Sequence, residues 1–213
     1  MRLFLLAVLL TLSSALASAA GALPYDSSLS FVAYRNGEPI GRHTVTFERD
    51  GGQLKVSTSI DLAVKFMGFT AYRYSHRAQE VWADDSLVSL ASTTNDNGTK
   101  HNVTATRQAG DITVDHDGKR TVLPAKNLPS SHWNIEQVRQ SMLLNTQKGI
   151  EAKVNITRGA RENVKTLSGF VAATRYTYSG DVVMDQWFDD RGRWVKTSFK
   201  ASDGSTIEYV LQE

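Results

Sequence analysis

Leu54-Lys55-Val56-Ser57-Thr58-Ser59-Ile60-Asp61-Leu62-Ala63-Val64-Lys65-Phe66 is the stretch that decides the fold. The even positions carry Leu54, Val56, Thr58, Ile60, Leu62, Val64 and Phe66, and the odd ones carry Lys55, Ser57, Ser59, Asp61, Ala63 and Lys65. Successive side chains on a strand point to opposite faces, so sustained alternation marks a half-buried strand of an antiparallel sheet. At about 3.3 Å per residue such a strand runs roughly 40 Å. Strands that long curve around something.

Outward from this stretch, turn signals recur at hairpin spacing: Asn36-Gly37, Asp50-Gly51-Gly52, Asp84-Asp85, Asn97-Gly98, Asp117-Gly118, Asp190-Arg191-Gly192 and Asp203-Gly204. Asn-Gly and Asp-Gly supply the positive φ angles that tight hairpins need. Strands are therefore expected near 29–35, 40–49, 53–66, 70–83, 87–96, 99–108, 111–115, 119–123, 150–158, 170–179, 182–189, 193–201 and 205–212. This succession is a meander.

One segment breaks the pattern. After the loop from Pro124 to Pro129 come Ser130-Ser131-His132-Trp133-Asn134 and then Ile135-Glu136-Gln137-Val138-Arg139-Gln140-Ser141-Met142-Leu143-Leu144. Ile135, Val138 and Met142 share a helical face, and Asn134 is placed to cap with Gln137 three residues on. The expected fold is mainly β: a long curved antiparallel meander forming an open half-barrel, with one helix at about 135–145 packed against it as a plug or lid.

Met1-Arg2, an apolar run from Leu3 to Leu12 and the small residues Ala17-Ser18-Ala19 read as a secretory signal peptide, too short to span about 30 Å of hydrocarbon. The domain reading is a signal over 1–19 and a single antiparallel β domain over 20–213, with a periplasmic or secreted destination. No later stretch reaches transmembrane length. The 213-residue chain has no cysteine, so the fold depends on an ordinary core, and there is no cysteine to lipidate at the cleavage point. The formal charge is +2 and includes Arg2. Basic residues are scattered among acidic ones, which gives no nucleic-acid footprint.

Tyr72, Tyr74, His76, Ala78, Glu80 and Trp82 form one face of the strand from Thr70 to Ala83, while Arg73, Ser75, Arg77 and Gln79 form the other. An aromatic face carrying a histidine and a carboxylate is either an amphipathic wall whose tips reach solvent or the lining of a ligand cavity. Tyr176 and Tyr178 on one late strand, and Asp185, Trp187 and Asp189 on the next, repeat the mixture. His132 and Trp133 sit at a loop-to-helix junction, where a plain connection uses small polar residues; Trp133 is either a packing anchor or part of a site. The candidate ligand-binding residues are Tyr72, Tyr74, His76, Trp82, His132, Trp133 and Trp187.

Signals for catalysis are weak. Ser131 and His132 adjoin, but neighbours on an extended chain point apart, and no Gly-x-Ser-x-Gly elbow occurs. His43, His76, His101, His116 and His132 show no zinc-motif spacing, and Asp115-His116-Asp117-Gly118 fits turn chemistry, although strand pairing can bring distant histidines together. No Gly-rich phosphate loop or dinucleotide fingerprint is present. No catalytic residue, metal or cofactor is assigned.

The stretch Tyr34-Arg35-Asn36-Gly37-Glu38-Pro39-Ile40-Gly41 through Arg73-Tyr74-Ser75-His76-Arg77, the Ser131-His132-Trp133-Asn134 loop, Leu144-Asn145-Thr146-Gln147-Lys148-Gly149 and the closing Asp185-Gln186-Trp187-Phe188-Asp189-Asp190-Arg191-Gly192-Arg193-Trp194-Val195-Lys196 resemble a family of secreted proteobacterial proteins of unknown function. More loosely, the opening and closing hairpins are similar to envelope proteins with the open half-barrel of periplasmic lipoprotein carriers. The resemblance implies an exported curved sheet and no particular activity. The expected function is a non-enzymatic periplasmic binding or carrier protein for an amphipathic, lipid-like ligand; the alternative is a structural or assembly partner in the cell envelope that offers a strand edge to another protein.

Overall fold

The computed structural model describes residues 23–212, so the segment read as a signal peptide lies outside the described residues. The first eight strands are β1 (Ser28–Arg35), β2 (Glu38–Asp50), β3 (Gln53–Phe66), β4 (Phe69–Ala83), β5 (Ser86–Asp96), β6 (Thr99–Gln108), β7 (Asp111–His116) and β8 (Lys119–Pro124). They are followed by β9 (Leu128–Pro129), β10 (Met142–Leu144), β11 (Glu151–Thr166), β12 (Gly169–Gly180), β13 (Met184–Asp189), β14 (Trp194–Lys200) and β15 (Thr206–Leu211).

All belong to one 15-stranded sheet in the order β8-β7-β6-β5-β4-β3-β2-β1-β15-β14-β13-β12-β11-β10-β9. The chain begins in the middle of the sheet, where β1 pairs with β15, and meanders outward in both directions. This topology forces curvature. The two edge strands, β8 and β9, follow each other in sequence, and the step from Pro124 to Leu128 spans at most about 14 Å. The sheet therefore curls until its edges approach, and it stays unclosed because β8 and β9 do not pair.

Cross-strand pairing turns the alternation into layers on the inner face. Leu211, Phe31, His43, Ile60, His76, Thr94 and His101 are successive partners across seven strands. The next layer runs Leu29, Val45, Thr58, Ala78, Ser92, Val103, His116, and the one below it Phe47, Val56, Glu80, Leu90, Ala105, Val114. Apolar members of the lower layers form the main core with Trp82, Trp133, Phe188 and Trp194. The decisive strand keeps its alternation from Leu54 to Ile60 and loses it at the far end, where Phe66 is 70 % exposed.

The expected helix at 135–145 is corrected. There is no α-helix among the described residues; Ile135–Arg139 is a single 3-10 turn. Asn134 does cap it, its side chain accepting from the Glu136 amide, but Gln140 returns to extended backbone. Met142, Leu143 and Leu144 then pair with Lys153, Ala152 and Glu151 of β11. Strand geometry sends neighbouring side chains to opposite sides, so fully buried Leu143 joins Val154, Tyr178 and Met184 while equally buried Leu144 joins the main core. A helical face cannot bury both leucines in separate clusters. Covering the edge of β11 outweighs the local helical pattern.

The segment between Pro129 and β11 nevertheless crosses the interior of the curl. Trp133 packs edge-on against Phe47 and Trp82, and the backbone carbonyl of His132 accepts from Gln186 on β13. The Tyr25 hydroxyl donates to the Trp133 carbonyl and accepts from the Trp194 amide. A plug is present, built of loop and turn.

Candidate functional site

The interior divides into a mouth, a small chamber and a closed end. The mouth is a cavity of about 530 Å³ walled by Ile40, Leu62, Val64, Tyr74, Phe199, Ile207 and Tyr209, with Arg35, Tyr72, Asp96, Gln147 and Asp203 at its polar positions. Strand register makes this wall: Leu62 pairs with Tyr74, and Tyr74 with Asp96, in the layer above the histidines. Arg35 donates to Ser205 Oγ at 3.1 Å and to Asp203 at 2.6 Å. Ser205 and Arg35 together hold the Asp203 carboxyl below its ordinary range. Tyr72 donates to Asp96 at 2.6 Å. The Tyr74 hydroxyl is buried without a hydrogen-bond partner.

Beyond the wall, the β3–β4 hairpin projects into solvent. Phe66, Met67 and Phe69 at its tip are 70, 82 and 79 % exposed. Val64, Ala71 and Tyr72, which lie next to this tip in sequence, line the mouth. The tip therefore extends the apolar wall outward.

Below the mouth is a chamber of about 20 Å³ lined by His43, His76, His132, Thr58, Ser131 and Thr146, among others. This is wide enough for a single water and polar enough to hold one. Both ring nitrogens of His43, Thr58 Oγ1, Ser131 Oγ and His132 Nδ1 lack hydrogen-bond partners among the described residues. His76 Nδ1 lies 2.8 Å from Thr94 Oγ1. Burial lowers His76 and His132 to about 4. His43 is held well below its ordinary value by burial first, then by His132 and His76. All three are neutral imidazoles at neutral pH.

At the closed end Glu80 is buried in the layer below. Its Oε2 accepts from the Trp82 indole at 2.8 Å and the Trp133 indole at 3.2 Å. Burial pushes its pKa up, against the lowering effect of Ser131, Trp82 and Trp133. Ser131 Oγ and Glu80 Oε1 form no complete hydrogen bond, so Ser131 acts here as a nearby dipole. Trp82 and Trp133 also border an open cleft of about 600 Å³ with Leu54, Ile135 and Arg191.

The seven candidate residues thus fall in four places. Tyr72 and Tyr74 line the mouth, His76 and His132 the chamber, and Trp82 and Trp133 the closed end. Trp187 belongs to the other face of the sheet, packed with Val164, Ala173 and Val195 and flanked by Arg175 and Lys196 over its ring. Residues that the sequence reading did not name as ligand-binding include Arg35, His43, Phe199 and Tyr209. Tyr209 alternates with Ile207 and Leu211, a signal available in the sequence, but its place opposite Tyr74 follows from the central β1–β15 pairing. A trough of about 520 Å³ also runs over the exterior of β2 to β6, among Thr44, Ser57, Arg77 and Thr93. It is shallow and open.

These features define an unclosed, barrel-like antiparallel β protein with an internal plug and an open-mouthed cavity. The chain belongs to the family described as "Domain of unknown function (DUF6134)", whose model matches residues 31–212. No curated protein matches the chain. Among solved structures it is similar to the β-barrel-like protein of the domain of unknown function DUF1849 from Brucella abortus, at a TM-score of 0.61 and 10% identity, covering 88% of this chain and 94% of that one. At that identity the likeness concerns the fold.

Proposed function

We propose that this chain is a non-enzymatic binding or carrier protein of the cell envelope that holds an amphipathic, lipid-like ligand in the mouth cavity. The observation that carries the reading is a cavity of about 530 Å³ with aliphatic and aromatic walls and the Arg35, Asp96 and Asp203 charges around it. Its size lies within the usual range of ligand sites, and its chemistry suits a molecule with an apolar body and a polar head. The exposed Phe66, Met67 and Phe69 give such a ligand an apolar path at the entrance. Export, read from the N-terminal segment, would bring the protein to lipid-rich surroundings.

The test is to purify the full chain from its own host and extract bound small molecules, in parallel with a Leu62→Trp variant. Leu62 is half-buried on the cavity wall, so a larger ring there fills the space without removing core contacts. The expected result is an amphipathic compound recovered from the natural chain and lost from the variant, with unchanged circular dichroism. Equal recovery from both, or none from either, overturns the reading.

The second reading, an assembly partner, rests on the outer edge of β8, which has no neighbour in the sheet and carries Val122 at 58 % exposure. Lys119, Arg120 and Pro124 on the same strand are features that discourage edge pairing, which weighs against it.

A further inference from the structure

We infer that His101, His116 and Asp117 form a binding site for one divalent transition-metal ion of the zinc class, on the inner face near the outer edge of the sheet. The sequence separates these residues, and the strand register brings them together. His101 ends the layer that contains His43 and His76, and His116 ends the adjacent layer as the partner of Val103. Asp117 follows in the turn to β8. One ligand atom from each residue lies within 4.8 Å of the other two.

The distances suit coordination. Asp117 Oδ2 is hydrogen-bonded with His101 Nδ1 at 3.3 Å, a contact a shared ion would replace, and lies 3.2 Å from His116 Nε2. Metal bonds of about 2.0–2.1 Å set tetrahedral ligands roughly 3.3 Å apart, so these two edges already have the length a shared ion requires. His116 Nε2 is buried and makes no hydrogen bond, although the carboxylate oxygen is close. The nearby oxygen does not complete a hydrogen bond to it, which leaves this ring nitrogen with a donor position to offer an ion.

The surroundings hold the donors still. The other carboxylate oxygen of Asp117 accepts from the Asn102 amide at 2.8 Å, and the Asp117 amide donates to the Asn102 carbonyl. Asp115 accepts from the Gly118 amide and fixes the turn. Behind His116 the chain passes so close at Gly149 that a Cβ there would come within 2.7 Å of the His116 Cβ. The chain is thus packed directly against the base of the His116 side chain. Such outer contacts orient ligands and tune a metal site. The His101 and His116 side chains are each 25% exposed and Asp117 37%, which leaves an entry path and a fourth position for water. Two histidines and one carboxylate with an open position suit zinc and its neighbours in the transition series better than magnesium or calcium, which favour all-oxygen shells.

The test uses the untagged full chain and Zn²⁺ alone, titrated calorimetrically at pH 7.5, with Co²⁺ as a spectroscopic probe of coordination. One equivalent should bind, and Co²⁺ should give the visible absorption of a site with nitrogen and oxygen ligands. His101→Ala and Asp117→Asn should each weaken binding at least tenfold. Asp117→Asn keeps an acceptor for Asn102 and tolerates the positive φ of 48°, so it separates metal loss from hairpin disruption. No binding at micromolar Zn²⁺, or undiminished binding in folded His101→Ala and Asp117→Asn, overturns the proposal.

Discussion

His43 and His132 meet edge to face, with ring centroids 6.0 Å apart and planes inclined by 62°. One comes from β2 and the other from the plug, so the contact joins the sheet to the segment that crosses it. Burial lowers His132 and His76 from 6.5 to about 4, and His43 is lowered by burial together with its two neighbours. The folded state thus takes up fewer protons than the unfolded chain between these values. The histidine contribution to stability is full above about pH 6.5 and falls as pH drops toward 4, by up to ~3 kcal/mol for each fully expressed shift and less where the titrations couple. Urea midpoints of a Glu80→Gln variant, in which the opposing titration of the buried carboxyl is removed, should therefore decline from pH 7.5 through 6.0 to 5.0. A constant midpoint over this range would mean that the imidazoles titrate as they do in water.

How much of this was legible in the sequence depends on whether the information was local. Hairpin turns and alternation place strands from β1 to β8 and β12 to β15 within a few residues, because each is signalled by its own side chains. The far half of β11 was missed. Arg158 to Arg161 holds a register shift and Gly159, which interrupts alternation although the pairing with β12 resumes. The 135–145 segment was misread for the opposite reason: its local pattern is helical, and a partner strand distant in sequence overrides it. That Tyr72 and Tyr74 share a face is legible in their own strand, and that face lines the mouth. His43 requires the layer that spans seven strands, and Tyr209 the layer above it, where it pairs with Ala33; no single stretch displays either.

Glu80 gives a second prediction. It accepts from two buried indoles, so Glu80→Ala leaves both Trp82 and Trp133 N–H groups without partners. Each lost partner costs about 1–3 kcal/mol, and the thermal midpoint should drop sharply. Glu80→Gln keeps an acceptor oxygen and removes the charge that burial disfavours. It should match or exceed the natural protein in stability at pH 7, where the raised carboxyl pKa penalises the ionised form most. Calorimetry of both variants checks the sign.

Gly41 gives a third. A Cβ at this position would lie 1.9 Å from the Asp61 carbonyl oxygen, and φ is +155°. That oxygen, with Asp61 C at 2.9 Å and Leu62 Cα at 3.0 Å, is main chain and cannot yield without opening the β2–β3 pairing, in which Gly41 faces Leu62. Gly41→Ala should destabilise by more than ~3 kcal/mol, within the range of severe single substitutions. Gly37→Ala at the neighbouring turn meets nothing within 4 Å and should cost about 1 kcal/mol, from its positive φ alone. Equal effects at the two positions would show that the close approach does not matter.

Tyr74 separates ligand contact from core packing in the mouth. Its ring is buried on the cavity wall, and its hydroxyl has no partner among the described residues. Burial pushes the hydroxyl pKa upward, so the group is a neutral phenol able to donate one hydrogen bond. A buried hydroxyl without a partner lowers stability, so Tyr74→Phe should leave the thermal midpoint of the empty protein unchanged or raise it by the equivalent of about 1 kcal/mol. If an amphipathic ligand places its polar head within reach, the same substitution removes a hydrogen bond and weakens retention roughly 2- to 12-fold. Stability and binding then move in opposite directions, which a general packing defect cannot produce. Tyr74→Ala should lower both, because it also deletes the ring from the wall. If Tyr74→Phe lowers the midpoint and leaves retention unchanged, the hydroxyl serves the fold, and the polar head of any ligand is held elsewhere, with the Arg35 and Asp203 pair the next place to look.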